Sequence, residues 1–319
     1  MKRWMCMGLA CLSLAGLPAI AAEYPDKSVR IVVGYPPGGA SDMVARLLAQ
    51  ELEAVNGQPF VVENKPGVGG MLSLSSVAKS NPDGYVLGLG VSGTLVTGPH
   101  LQKNALYDVK SDFAPVAMVA KVPMVLLAGP SLKQNSVKDL VGAARDKPGE
   151  IIFASGAQAF ELAMQLLNSR ANIKTTSASY KGGAAAAVDV MAGRVPIMVD
   201  SIGAQQANIK DGRLRALAVL DSSRSPALPD VPTMQEAGVP DYEAVGWIAI
   251  VAPAGTPDPI VQKLNTQIGN IVQKPEFSER LVSQGFQPAA STPAELKAII
   301  ETEYDKWGEV VRESGMTPQ

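Results

Sequence analysis

The sequence predicts an α/β fold built largely on parallel sheet, and three observations point there. Apolar strand runs alternate with helical patterns from Val29 to Leu89 in the order β-α-β-α-β, and the order resumes at Ile151. Glycine-rich turns stand between strand and helix in both places. Hydrophobic residues make up 46% of the chain but aromatics only 5%, and 30 Gly and 24 Pro describe short elements joined by many turns rather than a helical bundle. With 319 residues the chain exceeds what one core usually serves, so two domains or one large α/β domain are expected.

Residues 1–22 read as a secretory signal peptide. Lys2 and Arg3 precede an apolar run from Met5 to Ile20, and cleavage is expected after Ala21 or Ala22, where small residues flank the cut. A lipid-modified Cys11 is the poorer alternative, because Gly8-Leu9-Ala10 is a weak match to a lipobox with almost no apolar region ahead of it. Cys6 and Cys11 both fall in this leader, which excludes a disulfide framework and a thiolate metal site from the exported chain. Without Lys2 and Arg3, 26 basic residues face 30 acidic ones, a net charge of −4. No basic cluster interleaves with aromatics, so no nucleic-acid partner is expected. No other apolar run approaches the roughly 20 residues of a membrane span. The expected product is a soluble, exported, acidic protein.

The first mature unit, VRIVVGYPPGGASDMVAR, organises the rest. Val29, Ile31, Val32 and Val33 form a buried-type strand, which Pro36, Pro37, Gly38 and Gly39 stop. A helix follows at once, with Ser41 or Ala40 at the expected cap, Asp42 in the first turn, and Val44, Leu47, Leu48 and Leu52 on one face. Free first-turn N–H groups at the end of a strand suit a carboxylate or phosphate. A tight strand-to-helix connection without a ligand explains the same residues, so the choice depends on the remainder of the chain.

A second strand is expected from Pro59 to Glu63, then a glycine turn and a helix from Gly69 to Ser80, then a strand from Tyr85 to Leu89. FAPVAMVAKVPMVLLA reads as two strands broken by Pro123, a natural crossing between domains. Ser136 caps a helix to Ala144 with Asp139 three residues on. Ile151 to Ala154 is a strand followed by a Ser-Gly turn and a helix with Leu162, Leu166 and Leu167 on one side. A helix from Gly183 to Met191, a strand from Val195 to Val199 closed by Asp200-Ser201, a helix from Ala204 to Lys210 and a strand from Leu214 to Leu220 continue the α/β order. SPALPDVPTMQEAGVPDYEA predicts an irregular link with one short helix, and Trp247 to Val251 a strand returning to the first domain. The tail predicts helices over Pro257–Val272, Pro275–Gln284 and Pro293–Ser314, each with a proline near its start.

Several chemistries fail for want of parts. Gly88, Gly90 and Gly93 spell the dinucleotide fingerprint with Asp108 about 20 residues on, but Gly98-Pro99 denies it the long helix it requires. His100 is the sole histidine and reads as a solvated side chain on an exposed loop. Ser41 sits in G-G-A-S-D rather than a nucleophile elbow. Neither a nucleophilic triad nor a dedicated transition-metal site can be assembled, and no spacing favours a carboxylate pair. No catalytic residue, cofactor or metal is expected.

Six segments in order, VRIVVGYPPGGASDMVAR, VVENKPGVGG, ALYDVKSDFAPVAMVA, SYKGGAAAAVDVMAGRVPIMVDS, LRALAVLDSSRSPALPDVPTMQEAG and GWIAIVAPAGTP, resemble the periplasmic solute receptors of tripartite tricarboxylate transporters, the Bug-type receptors, over essentially the whole mature chain. The resemblance implies a type II periplasmic binding protein of two domains, each a sheet flanked by helices, with a cleft that closes over a small organic carboxylate. It places 23–121 with 247–319 in domain 1 and 122–246 in domain 2. The solute would pass to one small and one large membrane subunit, and a monomer is expected. Tyr35, Gly38, Gly39, Ala40, Ser41 and Asp42 match the family's first binding loop; Tyr180, Lys181 and Gly182 match its Tyr-Lys-Gly, and Asp200 its strand-closing acid. The loop after Ala154 departs from the family: Ser155, Gly156, Ala157, Gln158, Ala159, Phe160 and Glu161 stand where relatives resemble Gly-x-Gly-Ser and a His-Leu pair.

The expected mechanism is capture without chemistry. An anionic end of the solute docks on first-turn amides of the helices after Gly39 and Gly156, and Phe160, Glu161, Ser92 and Thr94 touch the far end. Tyr180 is read either as a pocket residue or as packing, and Asp200 either as a solute contact or as the cap of the next helix; Trp247 reads as hinge or core packing. The alternatives from other classes are a receptor presenting its ligand to a membrane sensor kinase and a periplasmic hydrolase using Ser41.

Overall fold

The computed structural model describes residues 24–316 and 318; the signal peptide and its cleavage site lie outside the described residues. The chain opens with β1 (Val29–Val33), α1 (Ala40–Asn56), β2 (Phe60–Asn64), α2 (Met71–Ala78) and β3 (Val86–Val91). It continues through β4 (Phe113–Val122), β5 (Met124–Ala128), α3 (Val137–Asp146), β6 (Ile152–Ser155), α4 (Gln158–Ala171), β7 (Thr176–Ser179), α5 (Gly183–Met191), β8 (Ile197–Ser201), α6 (Ile202–Lys210) and β9 (Arg215–Val219). It closes with β10 (Gly246–Pro253), α7 (Asp258–Val272), α8 (Pro275–Ser283), β11 (Gln287–Pro288) and α9 (Pro293–Ser314).

These strands form two sheets. The first runs β11-β4-β10-β3-β1-β2 and the second β7-β6-β8-β5-β9. In the first, β1 lies parallel between β2 and β3, with Ile31 opposite both Val62 and Leu87. In the second, β6 lies parallel between β7 and β8. Each sheet therefore carries a trio of parallel strands whose C-terminal ends open onto loops, the usual ligand position of open α/β sheets. Helices cover both faces of the first sheet: Ile31 and Val33 pack with Leu48 of α1 and Leu264 of α7, while Val32 faces Leu74 of α2. The chain passes between sheets at Pro123, whose carbonyl accepts from Ile202 N (2.9 Å), and again at Gly246. Lys121 Nζ meets Asp221 Oδ2 at 3.4 Å and ties the end of β4 to the loop after β9.

The structure corrects four details of the sequence reading. Helix α1 starts at Ala40, so its N-cap is Gly39 in extended conformation, and Ala40 and Ser41 lie inside the first turn. The link after β9 forms no helix: Thr233 and Glu236 exchange the bonds of a capping box (3.0 and 2.8 Å), but Gly238 at φ +96° and then Pro240 stop the chain after one turn. His100 is not a solvated loop residue. Its Nε2 lies 2.8 Å from the Tyr304 carbonyl oxygen and its ring 4.1 Å from the Tyr304 ring, and burial pushes its pKa below the usual value. Finally, β7 and β11 are strands that no apolar alternation announces, since β7 is Thr-Ser-Ala-Ser on the edge of its sheet. After Gly93 the backbone makes only two short helical turns, Gly93–Thr97 and Gly98–Leu101, so the dinucleotide fingerprint has no helix to serve.

Candidate functional site

In the first lobe the loops after β1, β2 and β3 converge. Residues 36–40 are exposed, and no side chain caps α1, so its first-turn amides have no side-chain partner. Asp42, in contrast, is buried at 2% exposure. Its Oδ2 accepts from Gly38 N and from Arg46 Nε, both at 2.9 Å, and its Oδ1 from Asn64 Nδ2 at 2.8 Å. The Arg46 guanidinium, with the Gly38 and Asn64 donors, holds this carboxyl at about 2. Asn64 also donates to the Tyr35 carbonyl (2.9 Å). Asp42 thus braces the turn from inside rather than standing free to meet a solute. Asn64 and Arg46 were not among the expected site residues; Asn64 at the end of β2, opposite Val33, was the available signal.

Close backbone approach assembles the rest of this lobe's surface. A Cβ on Gly34 would stand 2.3 Å from the Gly70 carbonyl oxygen, so only glycine lets the turn after β1 meet the turn after β2. The Tyr35 ring lies against Gly70, and its hydroxyl donates to Gly69 O (3.3 Å). Thr94 is buried, and its hydroxyl donates to Val91 O (3.0 Å) and accepts from Val91 N (3.1 Å). It therefore closes the end of β3 and has no proton left for a solute, against the expectation of a far-end contact. Ser92 is half-buried, and its Oγ accepts weakly from Trp247 N (3.4 Å). Trp247 itself is buried, with Nε1 donating to Glu303 Oε2 (2.9 Å).

The second lobe repeats the plan with different chemistry. No side chain caps α4, whose N-cap is Ala157, or α5, whose N-cap is Gly182. A Cβ on Gly156 would stand 2.4 Å from Gly183 N, so these two helix starts touch through glycine. The buried Ser155 hydroxyl donates to Ala157 O (3.2 Å), and Gln158 is exposed. Asp200 is buried, accepts from Ser201 N and Gln205 Nε2 (both 2.7 Å), and lies directly behind Gly183. It anchors the start of α6 through the cap residue's own amide, and burial pushes its pKa above the usual carboxylate range. Tyr180 donates its hydroxyl to Asp189 Oδ2 (2.9 Å), and Arg194 holds the other oxygen, Oδ1, at 2.6 Å. Phe160 packs half-buried against the apolar core instead of standing in a pocket.

A pocket of about 380 Å³ opens here, walled by Ser155, Gly156, Ala157, Gln158, Glu161 and Tyr180 with Ser177, Ser179 and Met316. The loop Tyr35–Asp42 does not line it. Among the described residues no cluster of His, Cys, Asp and Glu is arranged to hold a metal ion, and no helix is long and apolar enough to cross a membrane.

Comparison with known proteins accords with this architecture. The tripartite tricarboxylate transporter family receptor matches residues 44–316. BugT of Bordetella pertussis is 38% identical over 310 residues, covering 95% of each chain. The structure of R. palustris Rpa4515 with adipate superposes with a TM-score of 0.76 at 34% identity, over 93% of this chain and 100% of that one. MatC from Rhodopseudomonas palustris with bound malate gives 0.70 at 30% identity, over 90% and 100%. Two α/β lobes, parallel strand ends opening onto uncapped helix starts, and a match along nearly the whole chain lead to one conclusion: the protein belongs to the tripartite tricarboxylate transporter receptors, a family of periplasmic solute-binding proteins rather than enzymes.

Proposed function

We propose that the chain captures a small organic carboxylate between its lobes, residues 23–121 with 247–319 on one side and 122–246 on the other, and delivers it as a monomer to one small and one large membrane subunit. The observation that carries this reading is the pair of uncapped helices, α1 and α4, that follow glycine turns at the ends of β1 and β6. The adipate of Rpa4515 and the malate bound by MatC, both relatives, support a carboxylate. The amides of Ala40, Ser41 and Asp42 take the anionic head from one side. Those of Gln158 and its neighbours approach from the other, and Tyr35 and Ser92 border the first-lobe surface. Charge-assisted bonds of this kind contribute about 1.5–3 kcal/mol each, so two or three suffice for micromolar affinity after ordering costs.

A thermal-shift screen over mono-, di- and tricarboxylates tests the reading. A bound acid at a hundredfold its dissociation constant raises folding stability by about 2.7 kcal/mol, a clear rise in Tm. A screen in which sugars or amines shift the protein and no acid does would overturn it.

A further inference from the structure

We infer that the second-lobe pocket around Glu161 receives the far end of the solute and selects a hydrogen-bond donor there, a hydroxyl or an ammonium, against a second carboxylate. This rests on the reading of the chain as a carboxylate receptor and specifies which carboxylates it takes.

The argument is one of donors and acceptors. Glu161 stands in the first turn of α4 and carries the one formal charge among the described residues that line the pocket. Its Oε1 accepts from Gln165 Nε2 (3.0 Å) and its Oε2 from the Ser177 hydroxyl. Ser155 gives its proton to Ala157 O, Ser177 gives its own to Glu161, and Tyr180 gives its own to Asp189. Three hydroxyls of the wall are thus left with lone pairs alone beside the Glu161 carboxylate, while the Gln158 amide, the Ser179 hydroxyl and the uncapped first-turn amides of α4 remain donors for the anionic head. Nearby cations do not change the balance. Arg194 is held by Asp189, and Lys181 is exposed and outside the wall. Behind the wall, Asp200 lies against Gly183, which touches Gly156.

With the α4 amides committed to the head, a second carboxylate would bring like charge to Glu161 and the spent hydroxyls beside it, and the unmatched groups would resist its entry. A hydroxyl or ammonium finds unused acceptors there. The first lobe, with uncapped amides and an acid already neutralised by Arg46, keeps the opposite preference.

The test is isothermal titration of the purified protein with two sets of acids matched in length: adipate with its ω-hydroxy and ω-amino monoacids, and succinate with its own. In the better-fitting set the donor-ended acid binds at least about tenfold tighter than the diacid, and Glu161→Gln cuts that ratio to about threefold or less by strengthening the diacid. Glu161→Ala, checked for folding by circular dichroism, serves as the second variant and gives the same direction. A diacid that binds wild type as tightly as its donor-ended partner, or a preference that survives both variants, overturns this inference while leaving the carboxylate reading intact. Failure of all six acids to bind wild type overturns both.

Discussion

The two lobes solve one problem in two ways. Each ends a central parallel strand in a glycine turn that enters a helix without a side-chain cap, and in each a backbone contact through glycine, Gly34 on Gly70 or Gly156 on Gly183, brings neighbouring loops together. In the first lobe the third helical residue, Asp42, folds back onto Gly38 and is held by Arg46 and Asn64, so a charged network braces the turn from inside. In the second lobe Ala157 and Phe160 offer nothing of the kind. The acid, one residue later at Glu161, bonds to β7 and leaves the turn to steric packing and one neutral bond, from the Ser155 hydroxyl to Ala157 O. One local motif can therefore be made rigid by hydrogen-bonded charge or by close contact, and the choice decides which charges remain for a solute.

The largest effect that probes this difference is expected at the glycine contacts. Gly156→Ala puts a methyl 2.4–2.6 Å from three backbone atoms of Gly182 and Gly183, and Gly34→Ala puts one 2.3 Å from Gly70 O. Each substitution forces backbone to move and lowers stability by about 1–3 kcal/mol, read as the urea midpoint at constant slope. If steric packing is the main support of the second-lobe turn, Gly156→Ala also weakens acid binding more than Gly34→Ala does.

Next comes the charged brace. Asp42→Asn removes the charge that Arg46 and Gly38 share and costs about 1 kcal/mol at neutral pH. Because the folded carboxyl titrates at about 2, below its ordinary value of 3.8, this contribution is fully present above pH 4. It fades as pH falls toward 2, so the gap between wild type and variant narrows over that window in urea titrations. A gap constant across that window would show that the charge contributes nothing to the brace.

A third comparison sets Thr94 against Asp200, the strand-end residues of the two lobes. Thr94→Val deletes both hydroxyl bonds to Val91 in a buried setting and lowers stability by about 1 kcal/mol at any pH, measurable by calorimetry. Asp200 is the smallest and opposite case. Its folded pKa is raised by burial, so the protein binds this proton more tightly than the unfolded chain does. Its contribution is most favourable below the ordinary carboxylate pKa and is lost as pH rises through the raised value. In Asp200→Asn that part of the downward slope disappears, whereas Thr94→Val keeps the wild-type slope.

Much of the fold and part of the site were legible because their determinants are local. The apolar runs at Val29–Val33 and Met124–Ala128, the Ser136 cap with Asp139, and the Pro293 start of α9 follow from side chains a few residues apart. Asn64, β7 and the packing of His100 on Tyr304 were not legible, since each depends on a partner from another segment. The same limit explains Thr94 and Asp42: the sequence marks them as polar groups at strand and helix ends, but their hydrogen bonds decide whether any capacity is left over.

By itself the sequence determined the alternation of strands and helices, the glycine turns at the ends of β1 and β6, and the family, because periodicity, turn chemistry and motif order are properties of neighbours along the chain. Only the tertiary structure decided which acids are neutralised and which face a pocket. Asp42 is covered by Arg46 and Asn64, Asp200 is buried behind Gly183, and Glu161 borders open space. A carboxylate's role is set by the donors and the water around it, and those come from residues that the chain brings together only when it folds.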